Sequence, residues 1–316
     1  MTDVHPNLRA WLDQLNPMVA EQKARGGEAT PRMVRDSLAG LTTTFVTKAP
    51  ELPLIRDLQA ETAEGLVQVR LYHPQPDTAR PVMVFFHGGG HMAGSVAVYD
   101  PIARKLAEAT GLLVLSVDYR LAPETPYPGG LNDCLNVTRQ VWALLEQEGV
   151  RFERQLALAG DSGGATYAAT VSQQLAGSRD LNLTHQVLIY PSLDYVMDHP
   201  SITGHGEGYL LEEPRIRWYF DHYFANGEDR QAASPLHMPV PDGMPATLVI
   251  TAGYCPLHDE GVAYAHKLEG AGVECQLEDY ADMIHAYLNL EDLVPEACSD
   301  TYGLIGDFCR RPARTV

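Results

Sequence analysis

The residues with the clearest potential for chemistry form the run Gly160-Asp161-Ser162-Gly163-Gly164. It follows a short apolar stretch at 156–159 and precedes a stretch of small residues, so a strand is expected to turn sharply into a helix there. A serine at the tip of such a turn has a strained backbone, and glycines on both sides avoid a clash with it. The pattern predicts that Ser162 is a nucleophile. The Gly163 N–H, at the start of the helix, would then face the negative charge that develops during attack.

A second glycine-rich segment, His87-Gly88-Gly89-Gly90, directly follows the apolar run 82–86. Because glycine has no side chain, the backbone here can approach a bound molecule closely. We predict that the N–H groups of Gly88 and Gly89 join that of Gly163 in an oxyanion hole. Taken alone, the segment is also compatible with a glycine turn that has no catalytic part. Its place before the serine turn favours the functional interpretation.

His285 is the predicted general base. The chain has 12 histidines, and position singles this one out, because it follows both Ser162 and the last strand-like run, 273–280. A serine turn of this type is followed along the chain first by an acid and then by a histidine. At neutral pH an imidazole can take the serine proton and return it to a leaving group.

These residues need a scaffold that brings distant loops together, and the pattern of apolar runs predicts one. Helical patterns separate most of the short apolar runs, which lie at 82–86, 112–117, 156–159, 187–190, 248–252 and 273–280. Alternating strands and helices imply parallel strands with right-handed crossovers, and wholly apolar strands are buried on both faces. We predict an α/β fold, a mostly parallel sheet flanked by helices. The letters GDSGG also surround the serine of trypsin-like proteases, but those need an all-β fold, which this alternation contradicts.

Further elements are predicted around this pattern. A helix is expected over 8–19, ending by Gly26, and a second with Thr30 as its N-cap and Gly40 as its end. A β-hairpin is expected over 53–72, with its turn at 63–65. An aromatic stretch then interrupts the strand–helix alternation, with Trp218, Tyr219, Phe220, Tyr223 and Phe224. The N-terminal helices and this stretch could either cover a pocket or serve as ordinary packing.

Composition narrows the class of protein. Of the 316 residues 45% are hydrophobic and 20% charged, as in a globular protein. The formal net charge of −18 would repel nucleic acids and anionic membranes, so neither is expected as a partner. We find no signal peptide pattern and no apolar run of the roughly 20 residues that span a bilayer. The five cysteines are far apart and form no CxxC pair, so we expect a reduced, cytoplasmic protein without structural zinc.

Together the motifs resemble those of the bacterial hormone-sensitive-lipase family of α/β-hydrolase esterases, over roughly residues 50–290. Beside HGGG and the GDSAG-type turn, Ser116–Glu124 fits the family's DYRLAPE segment, Tyr190-Pro191 with Asp194 its YPxxD, and Ala233–Leu236 its SPL segment. The resemblance implies one domain over 1–316 with an eight-stranded, mostly parallel sheet and a helical cap formed by about 1–45 and 200–232. It also implies hydrolysis of short-chain acyl or aryl esters through an acyl-enzyme, without a metal or organic cofactor. Many members are dimers, so a homodimer is possible.

The chain departs from the family pattern where the catalytic acid belongs. The family's acid lies in a segment like Y-D-P-L-x-D-E-G, which here reads Tyr254–Gly261 with Cys255 in the place of the aspartate. The acid normally fixes the histidine tautomer and stabilises the imidazolium, and losing its charge costs on the order of 10⁴ in turnover. A thiol has a reference pKa of about 8.5 and is mostly neutral at pH 7. An acid is therefore expected elsewhere.

We predict that Asp282 takes this part and reaches His285 from three residues upstream. Asp259, Glu260 and Asp194 are alternatives, and chain order does not separate them because all lie between Ser162 and His285. A dyad without an acid and an engineered Asp-to-Cys change are also open. So are two other functions, namely a member that only binds a small molecule, and another acyl reaction such as amide hydrolysis or acyl transfer.

Overall fold

An eight-stranded sheet forms the centre of the structure, a computed structural model that describes residues 3–26 and 29–312. Its strands are β1 (Leu54–Thr62), β2 (Gly65–His73), β3 (Val82–Phe86), β4 (Leu113–Asp118), β5 (Leu156–Asp161), β6 (Leu183–Ile189), β7 (Ala246–Tyr254) and β8 (Cys275–Ile284). They lie in the order β1-β2-β4-β3-β5-β6-β7-β8. β1 with β2 and β2 with β4 are antiparallel, and every other neighbouring pair is parallel. The predicted mostly parallel sheet is confirmed.

Helices connect and flank the strands. They are α1 (Pro6–Ala24), α2 (Pro31–Phe45), α3 (Asp100–Thr110), α4 (Gly129–Gln147), α5 (Gly163–Leu175), α6 (Pro200–Gly204), α7 (Glu213–Tyr223), α8 (Arg230–Ala233), α9 (His258–Gly270), a 3-10 helix at Tyr287–Leu293, and α10 (Pro295–Cys309). Among the described residues, none of these helices is both long and apolar enough to cross a bilayer.

The central strands are buried because their sequences are apolar on both faces. All five residues of β3, Val82–Phe86, are fully shielded from solvent, and β4 and β5 on either side of it are buried over nearly all of their length. Helices on both faces of a parallel sheet leave no wet side, so alternation with polar residues is not needed. The loops that follow these strands consequently start from a rigid base.

One helix boundary differs from the prediction. Thr30 caps α2 as expected, its hydroxyl accepting a hydrogen bond from the Met33 N–H at 3.2 Å, but the helix continues past Gly40 to Phe45. Glycine in a helix interior costs only about 1 kcal/mol relative to alanine. The last turn makes a contact of similar size, because Phe45 packs edge-to-face on Trp11 of α1 with ring centroids 5.8 Å apart.

Arg35 fastens α2 to the loops beside the sheet. Its guanidinium donates to the carbonyl oxygens of Met92 and Ala122 at 2.9 and 3.0 Å. It also binds both carboxylate oxygens of Glu124 at 3.0 and 2.6 Å. The planar fork of arginine suits such a two-oxygen contact. One side chain therefore ties the N-terminal helices to the segment that follows the HGGG run.

Arg35→Gln is expected to lower the melting temperature by about 3–6 °C, because hydrogen bonds to a charged group contribute about 1.5–3 kcal/mol and 1 kcal/mol shifts Tm by about 2 °C at this chain length. Calorimetry measures this change in melting temperature. The control is Arg32→Gln on the same helix, which removes only an exposed ion pair to Asp36 at 3.6 Å. The control should stay within about 1 °C of the parent protein. Equal shifts in the two variants would contradict the anchoring role of Arg35.

Candidate active site

Ser162 occupies the predicted sharp turn between β5 and α5. Its backbone has φ of 52° and ψ of −122°, a strained region for a residue with a side chain. The flanking glycines are required by close backbone contacts. A Cβ on Gly160 would lie 2.4 Å from the carbonyl carbon of Gly164, and one on Gly164 would lie 2.0 Å from the Phe86 oxygen. The turn can form only with glycine at both positions, and it lifts the hydroxyl above the end of the sheet.

His285 meets Ser162 across the end of the sheet. It directly follows β8, and its Nε2 lies 2.8 Å from the Ser162 Oγ. The Tyr190 ring packs edge-on against the imidazole at a centroid distance of 5.0 Å. Burial lowers the pKa of His285 to about 3, because water no longer solvates the charged form. The histidine is therefore neutral at physiological pH and can act as a base.

The other imidazole nitrogen faces sulfur. Cys255 directly follows β7, and its Sγ lies 3.1 Å from Nδ1 of His285. The same sulfur accepts a hydrogen bond from the Leu257 N–H at 3.3 Å. Burial raises the pKa of the Cys255 thiol, so the group is uncharged at neutral pH. Cys255 thus stands where a catalytic acid would bind the histidine, but it brings no negative charge.

The proton on the imidazole decides whether this arrangement can work. If the thiol donates its S–H to Nδ1, the imidazole carries its proton on Nε2 and cannot accept the serine proton. If Nδ1–H donates to sulfur instead, Nε2 is free to accept from Ser162. The Leu257 N–H, which also points at the sulfur, shows that Sγ serves as an acceptor here. The productive tautomer is compatible with this site, although sulfur is only a weak acceptor.

The structure does not bring Asp282 to His285, which corrects the sequence prediction. β8 continues to Ile284, so Asp282 stands within the strand and not in the loop that presents the histidine. Its carbonyl oxygen accepts a hydrogen bond from the His5 N–H at 2.9 Å. Within the described ranges, its carboxylate makes no hydrogen bond or ion pair. The Nδ1 position that it was expected to fill is taken by the Cys255 sulfur.

The other candidate carboxylates also have partners elsewhere. Asp259 accepts from the Ser201 N–H at 2.9 Å, Glu260 from the Leu193 N–H at 2.6 Å and Asp194 from the Val196 N–H at 2.9 Å. In the part of the chain that the structure describes, none of the three contacts His285. Burial, together with the neighbouring carboxylate of Asp194, raises the pKa of Glu260 well above its usual range.

One of the predicted oxyanion donors is also corrected. The Gly88 N–H donates to the Asp161 carboxylate at 2.7 Å and is not available to a ligand. The N–H groups of Gly89 and Gly90 have no acceptor among the described residues. A Cβ on Gly163 would lie 3.3 Å from both the nitrogen and the Cα of Gly90, so these two backbones converge. The free donors next to the serine are therefore those of Gly89, Gly90 and Gly163.

Asp161 is a supporting residue that sequence reasoning missed. Besides the Gly88 N–H, its carboxylate accepts from the hydroxyls of Tyr99 at 3.1 Å and Tyr190 at 3.4 Å. Burial raises the pKa of Asp161 to about 7 in spite of these donors. The contact holds the first glycine of the HGGG run and so aims the N–H groups of the two that follow. The sequence could have indicated a supporting role for Asp161, because it directly precedes Ser162 in the turn.

A cavity of about 590 Å³ opens onto Ser162 and His285. Its walls are mostly apolar and come from α1, α2 and α7, with Trp11, Leu15, Leu38, Phe45, Ile216 and Tyr219 among them. A cavity of this size suits a small organic molecule. The helices at 6–24, 31–45 and 213–223 therefore line this cavity. The sequence alone had left open whether they cover a pocket or serve as ordinary packing.

Known proteins share this fold and its sequence features. A family model described as alpha/beta hydrolase fold matches residues 83–289. An ethyl acetate hydrolase of Pseudomonas putida is 36% identical over 307 residues, covering 93% of this chain and 95% of that protein. The carboxylesterase NlhH of Mycobacterium tuberculosis is 34% identical, over 74% of this chain and 75% of its own.

Solved structures agree with the sequence comparison. An ester hydrolase from the metagenome of Lake Arreo superposes with a TM-score of 0.87 at 28% identity, over 97% of this chain and 98% of its own. A hyperthermophilic esterase from Pyrobaculum calidifontis has a TM-score of 0.85 at 28% identity, over 98% of both chains. With the family match over most of its length, the chain belongs to the α/β-hydrolase family, in the branch of the carboxylic ester hydrolases.

Proposed function

We propose that the protein hydrolyses short-chain acyl or aryl esters through an acyl-enzyme on Ser162, with His285 as the base. The contact of 2.8 Å between Ser162 Oγ and His285 Nε2, at the mouth of an apolar cavity, carries the proposal. Membership of the family shows that the protein is a carboxylic ester hydrolase. The roles of Ser162 and His285 and the class of ester are what we propose.

In the first half of the reaction, Ser162 gives its proton to Nε2 of His285 and its oxygen attacks the ester carbonyl carbon. The N–H groups of Gly89, Gly90 and Gly163 donate to the oxygen that becomes negative. His285 then protonates the departing alcohol, and Ser162 keeps the acyl group. In the second half, His285 takes a proton from water, the hydroxide attacks the acyl carbon, and the serine hydroxyl is restored.

The side chain of Cys255 determines how well His285 can accept and return the serine proton. The imidazole becomes positively charged in each transition state, and a neutral sulfur stabilises that charge much less than a carboxylate would. We propose that the site works as a Ser162–His285 pair in which the Cys255 sulfur accepts from Nδ1–H and orients the ring. The oxyanion donors then carry a larger share of the rate enhancement.

The substrate class follows from the cavity and the relatives. The walls are mostly apolar and the volume of about 590 Å³ limits the acyl and alcohol groups to modest sizes. Relatives named ethyl acetate hydrolase and arylesterase, 36% and 30% identical to this chain, support small esters as substrates. No observation favours a member that only binds its ligand.

A cytoplasmic location and a homodimer are further parts of the proposal. β8 lies at the edge of the sheet, next to β7 alone among the described strands. The edge of a strand can pair with a second copy through its free backbone groups. Light scattering coupled to size exclusion would give the mass in solution, and a monomer would contradict the dimer.

The first test is hydrolysis of p-nitrophenyl butyrate by the parent protein and by Ser162→Ala. We expect measurable turnover that falls by at least about 10³-fold in the variant, because no other nucleophile replaces the serine. Ser37→Ala, a serine that also lines the cavity, is the control and should retain activity. Equal rates for Ser162→Ala and the parent protein, with both folded, would refute the assignment.

The second test asks what the missing charge costs. Cys255→Asp should raise kcat at least tenfold and up to about 10⁴-fold, the range expected when the acid's charge is restored. Cys255→Asn matches it in shape without the charge and should stay close to the parent protein. If the two variants had the same kcat, the account of Cys255 as an uncharged substitute would be wrong.

The third test uses pH. His285 must be unprotonated to act, so activity is lost as pH falls through its pKa. Since burial lowers the pKa of His285 to about 3, this group should cause no loss in the parent protein between about pH 5 and 8. The carboxylate of Cys255→Asp stabilises the imidazolium and raises that pKa.

The ratio of kcat/KM for Cys255→Asp to that of the parent protein should therefore fall as the pH is lowered from 8 to 5. Asp161, with its pKa near 7, titrates in both proteins and cancels in the ratio. A ratio that does not change with pH would show that the charge state of His285 is set by some other group.

A further inference from the structure

The cavity wall contains one charged side chain that forms no ion pair with any residue in the ranges 3–26 and 29–312. Arg215 lies in the first turn of α7 and lines the cavity with Ser162 and His285. One terminal guanidinium nitrogen is shielded from solvent and has no hydrogen-bond partner among the described residues. In the part of the chain that the structure describes, no carboxylate forms an ion pair with it. A buried donor of a cation without an acceptor is costly, so such a group normally has a partner.

The other charged groups of the cavity wall are satisfied within the protein. Lys23 of α1 and Glu212, next to α7, bind each other at 2.6 Å across the cavity. Asp161 accepts from the Gly88 N–H and two tyrosine hydroxyls, and His285 is neutral. Arg217, two residues further along α7, pairs with Glu213 at 2.7 Å. Among the described residues of the cavity wall, Arg215 is therefore the cation that has no carboxylate partner.

The guanidinium is held in place but not neutralised. Its carbon lies 5.4 Å from the centre of the Trp218 ring, one helical turn further along. Such a cation–π contact orients the plane of the group and leaves its N–H edges available. A flexible lysine at a solvated surface would not be fixed in this way.

Arg215 shares its helix with a residue that lies close to the reacting end of the cavity. Tyr219 lies one turn beyond Arg215 on α7, and a Cβ on Gly90 would lie 2.7 Å from the Tyr219 ring. Burial raises the pKa of Tyr219 to about 12, and the nearby charge of Arg215 opposes that rise. Four residues along a helix span about 6 Å. Arg215 therefore lies about one helical turn from a side chain that packs on the glycines of the oxyanion donors, and it lines the same cavity as Ser162.

We propose that Arg215 binds a carboxylate of the substrate, and that the natural substrate is an ester that carries a second, ionised carboxyl group. The inference rests on the proposed ester hydrolysis and adds its substrate class. An anionic group at this point would make charge-assisted hydrogen bonds to the guanidinium in a partly desolvated site, where such bonds are strong. The acidic protein as a whole repels anions, but beyond a screening length of about 8 Å this field is weak at physiological ionic strength.

The test compares matched esters. On the acyl side, p-nitrophenyl hydrogen adipate is compared with the neutral p-nitrophenyl methyl adipate. On the alcohol side, 4-carboxyphenyl butyrate is compared with its methyl ester. We expect the parent protein to have a higher kcat/KM for the anionic member of at least one pair, and the pair that shows it identifies which part of the substrate contacts Arg215. Ser162→Ala gives the background rate.

Arg215→Gln should lower kcat/KM for the preferred anionic ester by about 10–100-fold, the effect expected from removing one partner of a desolvated charge pair. It should change the neutral esters by no more than about threefold, and Arg215→Lys should restore part of the loss. Arg217→Gln, on the same helix but paired with Glu213 and exposed, is the control and should change neither. Melting curves check that each variant is folded.

The outcomes separate the two proposals. If neither anionic ester is preferred, or if Arg215→Gln lowers anionic and neutral esters equally, the role of Arg215 is refuted while ester hydrolysis stands. If the parent protein hydrolyses none of the four esters faster than Ser162→Ala, the proposed function itself fails.

Discussion

The imidazole of His285 lies in the protein interior between a hydroxyl and a sulfur, and both contacts are with uncharged groups. This is the constraint on which the chemistry depends. Burial makes the charged imidazole expensive, and in most serine hydrolases a carboxylate offsets that cost during attack. Here sulfur can accept the Nδ1 proton but does not offset the charge. The site has the geometry of a catalytic triad, but neither of these two contacts of the imidazole is with a negative charge.

The sheet explains how this geometry persists. β3, β5, β7 and β8 are parallel and adjacent or nearly so, so the loops after their carboxyl ends gather at one edge. Those loops supply the glycine donors, Ser162, Cys255 and His285 in that order along the chain. The serine turn is fixed by close backbone contacts, such as the approach of Gly164 to the Phe86 oxygen. A cysteine in the loop after β7 is therefore compatible with the positions of Ser162 and His285.

Much of this could be predicted from the sequence, since apolar runs locate buried strands and glycines locate strained turns. The sheet and the serine turn follow from such local signals, and the order of the motifs along the chain singled out His285. The predictions that were wrong concern residues whose roles depend on contacts between distant segments. Asp282 sits three residues from His285 in the chain, yet β8 extends far enough to keep it out of the loop. Gly88 is equivalent to Gly89 in the sequence pattern, and only the contact with Asp161 shows that its N–H is already in use.

Similarly, no periodicity shows that Arg215 lacks a partner among the described residues, because pairing depends on the segments that α7 meets in space. The sequence also did not show that α2 continues past Gly40, because that extension depends on packing against α1. Local sequence thus determines the elements and the turn chemistry, whereas charge balance is a property of the assembled site.

The most direct test of the account is the ¹⁵N NMR spectrum of the His285 imidazole as a function of pH. If the ring lies between a hydroxyl and a neutral sulfur, it should stay neutral from pH 8 to about 5, with its proton on Nδ1. An imidazolium that forms near pH 7 would require an anion in contact with the ring. That result would contradict the claim that the site lacks the acid's charge.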